Sequence, residues 1–455
     1  MTGGLRMSAG RMSLFAAAGF LLVGGASAQA ADLGGNCCAD LEERIAELEA
    51  TTARKGNRKV SLTVYGQVNQ SVMYWDDGFE SNAYVVTNDN SRTRIGFKGD
   101  AKIADGWKAG YVLELGIRTA NSKRSTQNDP TGPATDIGLD IRHSYWFVDS
   151  KKYGRVSLGT TGSAAEGITE INLAATKDIA KYSDVEDSGL GMHLRLTNGA
   201  LSGNTQWRRL LGVHGDQPGE GDRRPEIKYD TPEIAGFVGT VAWGTDDFWD
   251  IGLKWSGEIG AFKIAAGFAY GENTNEHSTS SSAMNFGCPI DFNTEPDAKC
   301  SQFGGSISVM HEPTGLYINA AAGELQDDLI KGAASPFAGT NADDTSSFWA
   351  VEAGIERKWI PLGKTTLFAQ YYDYEGGANE RSVSFGAGNP SGNIFASGIE
   401  MYGLGVVQGL DSAAMHLYAY YRHYEADLTL LNGGTTTKVD LEDLDVVMGG
   451  ALIKF

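Results

Sequence analysis

The residues best suited to do chemistry are basic side chains that recur at alternating positions in neighbouring stretches of the chain. Arg92, Arg94 and Lys98 alternate with the apolar residues Ile95 and Phe97. Because side chains two residues apart in a β-strand point to the same face, these cations share one face and the apolar residues share the other. Two later stretches add cations by the same parity argument, at Arg142 and Arg155. The pattern predicts a basic patch that acts on charged or dipolar molecules through its field.

Acidic side chains are frequent in the long polar stretch that follows, residues 161–222. This stretch separates two strand-like segments, so we expect it to be a loop. Its carboxylates are either solvated surface charges or partners of cations elsewhere in the fold, and the sequence alone leaves both readings open. The acidic residues of interest are Glu166, Glu170, Asp178 and Asp184, followed by Glu186 and Asp187.

Histidine, serine and cysteine offer no recognisable catalytic or metal-binding arrangement. None of the seven histidines lies in a nucleophile motif, and the chain has no GxSxG, HExxH or P-loop pattern. In an oxidising compartment Cys288 and Cys300 are expected to form a disulfide that closes one polar loop, whereas Cys37 and Cys38 form a separate adjacent pair. Neither pair has the histidine or cysteine partners of a zinc site. We therefore expect no catalytic residue, no metal ion and no cofactor.

Residues 1–30 have the pattern of a secretory signal peptide. Arg6 and Arg11 precede an apolar run, which ends at small residues typical of a cleavage site. Removing this segment changes the formal net charge from −19 to −21, because it contains two arginines and no acidic residue. A chain this acidic argues against nucleic acid as a partner. We expect an exported protein.

Residues 31–57 differ from the rest of the chain. Leu41, Ile45, Leu48 and Thr52 recur at spacings of four and three, which places them on one stripe of a helix. The segment is either a short coiled coil, which would lie in the periplasm and favour a homo-oligomer, or a solvated helical linker. Two heptads are marginal alone, so the sequence does not decide between them.

From residue 58 to residue 455 the dominant period is two. In the first stretch the even positions are mostly apolar, as at Val60, Leu62 and Val64, and the odd positions are mostly polar. This alternation lasts for about fifteen residues, whereas strands of soluble sandwich proteins average about five or six. Strands that cross a membrane at a tilt need about nine to eleven residues, plus an extension beyond the bilayer. The pattern therefore predicts an all-β fold with transmembrane strands.

The connections between the predicted strands alternate in length. Seven short turns alternate with eight longer loops, which predicts sixteen strands, the first at 59–75 and the last at 443–455. A further hairpin from 193–197 and 206–211 would raise the number to eighteen. Because every backbone polar group in hydrocarbon must be paired within the protein, the strands must close into an antiparallel barrel without edges.

Several ordered segments resemble the general bacterial outer-membrane porin family, particularly its alphaproteobacterial members. They are SRTRIGFKGDAKIADGWKAGYVLELG (91–116), RHSYWFVDSKKYGRVSLGT (142–160), RRPEIKYDTPEIAGFVGTVAWG (223–244) and LYAYYRHYEADL (417–428). The terminal Phe455, on an alternating last strand, looks like the signal that outer-membrane assembly machinery recognises. The loop 161–222 departs from the family because it lacks the Pro-Glu-Phe-Gly-Gly type of motif. The helical segment before the barrel is absent from the simplest members.

The resemblance implies a water-filled channel for passive diffusion of small hydrophilic solutes and ions across the Gram-negative outer membrane, built as a homotrimer in outer-membrane lipid. It also implies that the loop 161–222 folds into the lumen and faces the basic patch, so that opposed charges create a transverse field. The residues predicted at this constriction are Arg92, Arg94, Lys98, Arg142, Arg155, Glu166, Glu170, Asp178 and Asp184.

Other functions remain alternatives at this point. The chain could be a substrate-selective channel for an anion, a sugar or a dicarboxylate. A sugar channel would show a ladder of aromatic residues along the lumen, and a phosphate channel a ladder of arginine and lysine, whereas the sequence shows a single basic cluster. An outer-membrane enzyme such as a lipase or protease is disfavoured by the missing nucleophile motifs.

Overall fold

The computed structural model describes residues 59–133, 138–212, 216–244, 248–274, 299–333 and 335–455. The predicted signal peptide, the 31–57 segment and the cysteines Cys37, Cys38 and Cys288 lie outside the described residues. Among the residues that are described, no helix is both long enough and apolar enough to cross a membrane.

Sixteen antiparallel strands form the wall of a barrel, and consecutive strands of this wall pair with each other. This confirms the predicted fold and strand number. The wall strands are β1 (Thr63–Asp76), β2 (Arg94–Ala104), β3 (Trp107–Arg118), β4 (Gly138–Ser150), β5 (Gly154–Gly162), β6 (Arg223–Asp230), β7 (Phe237–Gly244), β8 (Trp249–Ile259), β9 (Phe262–Asn273), β10 (Cys300–His311), β11 (Leu316–Asp327), β12 (Thr345–Ile360), β13 (Gly363–Gly376), β14 (Ser391–Leu410), β15 (Met415–Asn432) and β16 (Leu444–Lys454).

The barrel is closed by its first and last strands. β1 pairs with β16 from Gln67, opposite Lys454, to Asp76, opposite Asp445. β1 also pairs with β2 on its other side, so neither end of the sheet is left with free backbone groups. This closure satisfies the requirement that backbone N–H and C=O groups be paired in hydrocarbon.

The wall has an apolar outer face and an inner face that is polar over part of its circumference. On β1 the apolar residues Val68 and Val72 are 41% and 51% exposed, whereas the alternating residues Asn69 and Ser71 are buried. The exposed series continues the even positions singled out in the sequence. The alternation therefore separates a lipid-facing surface from an enclosed one, as expected for a membrane barrel.

The additional hairpin allowed for in the sequence exists but does not belong to the wall. His193–Arg195 pairs with Leu201–Gln206 in a separate two-stranded sheet within the long loop. Because these strands pair with each other and not with a wall strand, the wall keeps sixteen strands. Three other short strands, Ser81–Thr87, Asn379–Ser384 and Thr435–Val439, extend neighbouring wall strands at the loop end of the barrel.

One side of the lumen is filled by an apolar core. The long loop contributes buried residues such as Ile179 and Leu190, which pack with inner-face residues such as Tyr372, Met401 and Val446 of β13, β14 and β16. This packing removes apolar loop side chains from water and holds the middle of the loop against that side of the wall. The polar space of the lumen is consequently on the opposite side, next to β2–β6.

Candidate functional site

The basic side of the site is a group of arginines on the inner face next to the polar space. In the register of β2, β3 and β4, Arg94 lies opposite Gly116, which lies opposite Asp140. A side chain on Gly116 would collide with Asp140 Oδ1 and lie 3.2 Å from Arg142 Cδ, so the glycine makes room for both residues. The arginines of this basic wall are Arg92, Arg94, Arg118, Arg142 and Arg223.

Two wall carboxylates hold four of these arginines in place. Glu114 accepts a hydrogen bond from Arg142 Nε at 2.8 Å and lies 3.9 Å from Arg94 Nε. Asp140 accepts hydrogen bonds from the Nη2 atoms of Arg92, at 2.9 Å, and Arg118, at 3.3 Å. Charge-assisted hydrogen bonds of this kind fix the orientation of a guanidinium group. The basic wall is therefore a pre-organised surface rather than a set of freely moving side chains.

The acidic side of the site comes from the long loop, residues 163–222. Glu166 forms an ion pair with Arg223 at the start of β6, so the loop and the basic wall meet there. Further along the loop, Lys181 Nζ lies 2.7 Å from Glu170 and 2.6 Å from Asp184. The loop therefore carries its own cation among its carboxylates.

A second lysine connects the loop to the connection between β3 and β4. Lys123 Nζ lies 3.2 Å from Glu186, 3.3 Å from Asp187 and 2.5 Å from Asp216. The carboxylate oxygens of Asp184, Glu186 and Asp187 also lie within 4.8 Å of one another, close enough for a shared cation. Because Lys123 and Lys181 already contact these carboxylates, we assign no metal ion to them.

Burial gives the loop carboxyls unusual pKa values. Burial, together with the neighbouring Glu170 carboxylate, raises the pKa of Asp184 to about 7. Burial, together with Asp184, raises the pKa of Glu220 to about 8. For Glu166 the effect of burial is outweighed by the Arg223 guanidinium, which holds the pKa of Glu166 below its ordinary value. Some loop carboxyls therefore gain or lose a proton near neutral pH, whereas Glu166 stays ionised.

The basic wall and the loop enclose a cavity of about 600 Å³. Nine basic and ten acidic side chains line this charged cavity, and its remaining lining residues are asparagine, serine, glutamine and glycine. Such a lining favours polar solutes and penalises apolar ones, which cannot replace the hydrogen bonds of displaced water.

The charged cavity brings together seven of the nine residues predicted at the constriction, namely Arg92, Arg94, Arg142, Glu166, Glu170, Asp178 and Asp184. The other two lie elsewhere. Lys98 Nζ is 5.1 Å from the centre of the Tyr65 ring. Arg155 donates from Nε to Asp149 at 3.3 Å and covers the Phe147 ring.

Several lining residues were absent from the sequence-based prediction. For Arg118 and Arg223 the sequence did contain a signal. Each is the terminal residue of a wall strand, at a position whose alternation points the side chain into the lumen. The sequence contained no such signal for Lys123, Lys181 and Glu220, because they lie in irregular segments whose course no local pattern predicts.

A row of polar inner-face residues positions the loop on the side opposite the basic wall. Gly403 of β14 lies between Gln370 and Arg422, and Arg422 Nη2 reaches across it to Gln370 Oε1 at 3.0 Å. A side chain at Gly403 would lie 3.1 Å from Gln370 Oε1, so the glycine permits this contact. This polar row follows the cross-strand register through Ser308, Asn319, Glu352, Gln370 and Arg422.

The polar row binds the loop mainly through backbone atoms. Gln370 Nε2 donates to the carbonyl oxygen of Ala180 and Arg422 Nη2 to that of Lys181, each at 2.6 Å. The backbone N–H of Leu173 donates to Ser308 Oγ at 3.0 Å. Because backbone atoms are held, these three contacts do not depend on the side chains of Leu173, Ala180 and Lys181.

The C-terminus also contacts the site. Lys454 Nζ lies 2.6 Å from Asp178 Oδ2, which links the last wall strand to the loop. Phe455 exchanges two backbone hydrogen bonds with Gly66, at 2.9 and 3.0 Å, and its ring covers that glycine. Its role as an assembly signal stays a prediction, and so does the disulfide, because Cys288 lies outside the described residues while Cys300 is buried at the start of β10.

A family model of Gram-negative porins matches residues 14–441. No curated protein shows significant similarity to the sequence. Among solved structures, the anion-selective porin of Comamonas acidovorans is 16% identical with a TM-score of 0.51, over 87% of this chain and 100% of that chain. The outer membrane channel DcaP of Acinetobacter baumannii is 13% identical with a TM-score of 0.48, over 89% of this chain and 100% of that chain. The Comamonas structure supports the barrel fold.

Proposed function

This chain belongs to the family of Gram-negative porins, and on that premise we propose that its charged cavity is the section of the pore that selects solutes. The protein lies in the outer membrane, crosses it with its strands, and serves as a channel for passive diffusion of small hydrophilic solutes. The observation that supports the proposal is the origin of the charges in the cavity lining: the five arginines of the basic wall come from the wall strands and their ends, whereas nine of the ten acidic residues come from the loop.

The field between these two sides favours solutes that carry a charge or a dipole. In a narrow aqueous section the interaction of unit charges exceeds its value in bulk water, because less water screens them. The near balance of nine basic and ten acidic residues would give weak ion selectivity if all were ionised. At pH 7 Glu220, with a pKa of about 8, is mostly protonated and Asp184, with a pKa of about 7, is about half protonated, so we propose a modest preference for anions at neutral pH.

Single-channel recording in planar bilayers tests this proposal. We expect discrete conductance steps in potassium chloride, and neutral sugars should reduce the current only in proportion to their effect on solution conductivity. The matched control is the same preparation after heat denaturation, which should leave the bilayer insulating. A folded protein that forms no channels, or one whose current saturates with a neutral sugar, would contradict a general diffusion pore.

We also propose that the chain has no enzymatic activity. Support comes from the family and from the environment of two histidines on the wall and loop. His143 lies 5.9 Å from the Tyr145 ring, and His193 Nδ1 lies 3.3 Å from the carbonyl oxygen of Thr205. Neither contact is to a serine hydroxyl that the histidine would activate as a nucleophile. A fluorogenic ester and peptide assay on the folded protein tests this, and turnover above that of the heat-denatured protein would contradict it.

The finer architecture is likewise a proposal. We propose that residues 1–30 are removed as a signal peptide, that 31–57 forms a periplasmic helical linker or coiled coil, and that the protein is a homotrimer in outer-membrane lipid. The terminal Phe455 would be recognised by the outer-membrane assembly machinery. Crosslinking in native membranes tests the trimer, and conductance steps that occur in threes would agree with it.

A further inference from the structure

An aromatic patch lies on the inner face of the wall, between the basic wall and the turn end of the barrel. The register places Val112 of β3 opposite Lys98 of β2 on one side and opposite Tyr145 of β4 on the other. Residues directly opposite each other on neighbouring strands have Cβ atoms about 5 Å apart, so these side chains form one continuous surface. The members of the aromatic patch are Tyr65, Val112, Tyr145 and Phe147.

Glycines allow two of the rings to lie flat against the wall. A side chain on Gly96 would collide with the Tyr65 ring, and one on Gly110 would collide with the Phe147 ring. The Tyr65 ring crosses Gly96, and its hydroxyl donates to Glu114 Oε2 at 3.0 Å. Because Glu114 also binds the arginines of the basic wall, the aromatic patch begins directly beside them.

The aromatic patch is open to the lumen. Tyr65, Val112 and Tyr145 are half-buried, whereas the inner-face residues Tyr372 and Tyr424 on the opposite side are fully buried in the apolar core that the long loop completes. Apolar surface in contact with water gains free energy when an apolar group covers it. The aromatic patch is therefore suited to contact an apolar group of a passing solute.

Two cations flank the aromatic patch, and they differ in their partners. The Arg155 guanidinium lies 4.4 Å from the centre of the Phe147 ring, and Asp149 balances its charge at 3.3 Å. Lys98 Nζ lies 5.1 Å from the centre of the Tyr65 ring. Lys98 is exposed, and no carboxylate within the described part of the chain forms an ion pair with it. The aromatic patch thus borders one ammonium group that has no acidic partner.

We propose that the aromatic patch and Lys98 bind small monocarboxylates that carry an apolar ring, for which benzoate is a probe. This inference rests on the proposed channel function and names a solute class for it. The ring would cover Val112 and Tyr145, and the carboxylate would meet the Lys98 ammonium group beside them. Such a solute gains both a ring contact and a charge-assisted hydrogen bond, whereas a neutral ring gains only the first and an ion without a ring only the second.

Single-channel recording at pH 8 with three probes tests the proposal. Benzoate should reduce the chloride current in a saturable manner, because a bound molecule obstructs the path of chloride. Acetate has the charge without the ring, and benzamide has the ring without the charge. Each should need a concentration about tenfold higher for the same reduction, which corresponds to about 1.4 kcal/mol of binding.

Two variants remove the two halves of the site separately. K98Q and Y145T should each raise the benzoate concentration for half-maximal reduction about fivefold, as expected for one lost charge contact or one lost ring contact. In K98Q benzoate should lose its advantage over benzamide, whereas K98R should stay close to the wild type because it keeps the charge. In Y145T benzoate should lose its advantage over acetate.

The matched controls are K102Q and Y111T. Lys102 lies on the same face of β2 as Lys98 but is paired with Asp105 at the turn. Tyr111 lies opposite Trp146 on the outer face of the wall. Both controls should respond to benzoate as the wild type does. Circular dichroism of every variant should show the same β-sheet signal, which separates lost binding from lost folding.

The proposal is overturned if benzoate and acetate act alike on the wild type, or if K98Q and Y145T respond to benzoate as the controls do. Saturation-transfer NMR of benzoate with the detergent-solubilised protein separates this failure from that of the proposed function. A ring-proton signal that weakens in Y145T, from a protein that forms no channels, would refute the channel and retain the site. Channels without such a signal would refute the site and retain the channel.

Discussion

The Glu352 side chain is expected to be the main positioning residue for the loop in the lumen. It is fully buried on β12 and accepts four hydrogen bonds. Its Oε1 atom accepts from Asn172 at 3.3 Å and Thr176 at 2.7 Å, both in the loop, and from Asn319 of the wall at 2.9 Å. Its Oε2 atom accepts from Gln370 at 2.6 Å. Glu352→Ala therefore removes both side-chain contacts to the loop and takes the acceptor of the Asn319 amide, whereas Gln370 Nε2 keeps its bond to the Ala180 carbonyl oxygen.

The loss of loop anchoring in Glu352→Ala can be worked out from these hydrogen bonds. Each hydrogen bond contributes about 0.5–1.5 kcal/mol net, so the two loop contacts contribute about 1–3 kcal/mol to loop anchoring. The Asn319 amide left without this acceptor adds a comparable penalty. Glu352→Gln keeps the shape but directs an amide N–H towards the Gln370 amide, so it should lie between Glu352→Ala and the wild type. We expect the loop to sample additional positions in both variants.

Single-channel recordings measure this loosening as current noise in the open state and as a change in mean conductance. Both quantities should increase in Glu352→Ala, and less in Glu352→Gln. The control is Glu324→Gln, since Glu324 lies on β11 opposite the outward residue Phe303 and belongs to the outer face. If Glu352→Ala channels match the wild type in noise and conductance, the loop is held by other contacts and the reasoning fails.

Two further predictions concern the charged cavity. R94Q/R142Q should shift the ion preference towards cations, as read from the zero-current potential in a salt gradient. R155Q, outside the cavity, should leave this potential unchanged. Equal shifts would contradict the placement of Arg94 and Arg142 in the cavity and of Arg155 outside it. Because the raised pKa values of Asp184, about 7, and Glu220, about 8, place both carboxyls in the neutral form below pH 6, anion preference should grow as pH falls from 9 to 6. D184N/E220Q should change less with pH than the wild type, because Glu186 and Asp187, whose pKa values burial also raises, still titrate in the cavity. A pH-independent potential in the wild type would argue against these titrations.

The sequence predicted which face of the wall each residue occupies better than it predicted the position of the residue along the barrel axis. Alternation placed Arg94, Lys98 and Arg155 on the inner face, but only Arg94 lines the cavity. Lys98 is four residues further along β2, and at about 3.3 Å per residue this moves it about 13 Å towards the turn end. Arg155 lies next to the turn that starts β5 for the same reason. Period-two patterning carries no information about position along the barrel axis.

The loop was less predictable than the wall. Its carboxylates were visible in the sequence, but Glu166 pairs with Arg223 and Asp178 with Lys454, which are 57 and 276 residues away. Such pairings depend on the closed barrel, which brings β16 next to β1, and no local spacing encodes them.

The apolar core and the charged cavity depend on each other. Buried carboxyls such as Asp184 and Glu186 are costly, because burial disfavours their charged forms and repulsion between them adds to this cost. A mobile loop would lower this cost by moving its carboxyls into water. Burial of apolar residues such as Ile179 and Leu190 against the wall opposes that movement, since exposing one such side chain costs about 1.5–3 kcal/mol. The apolar core on one side of the lumen therefore keeps the charges on the other side in place.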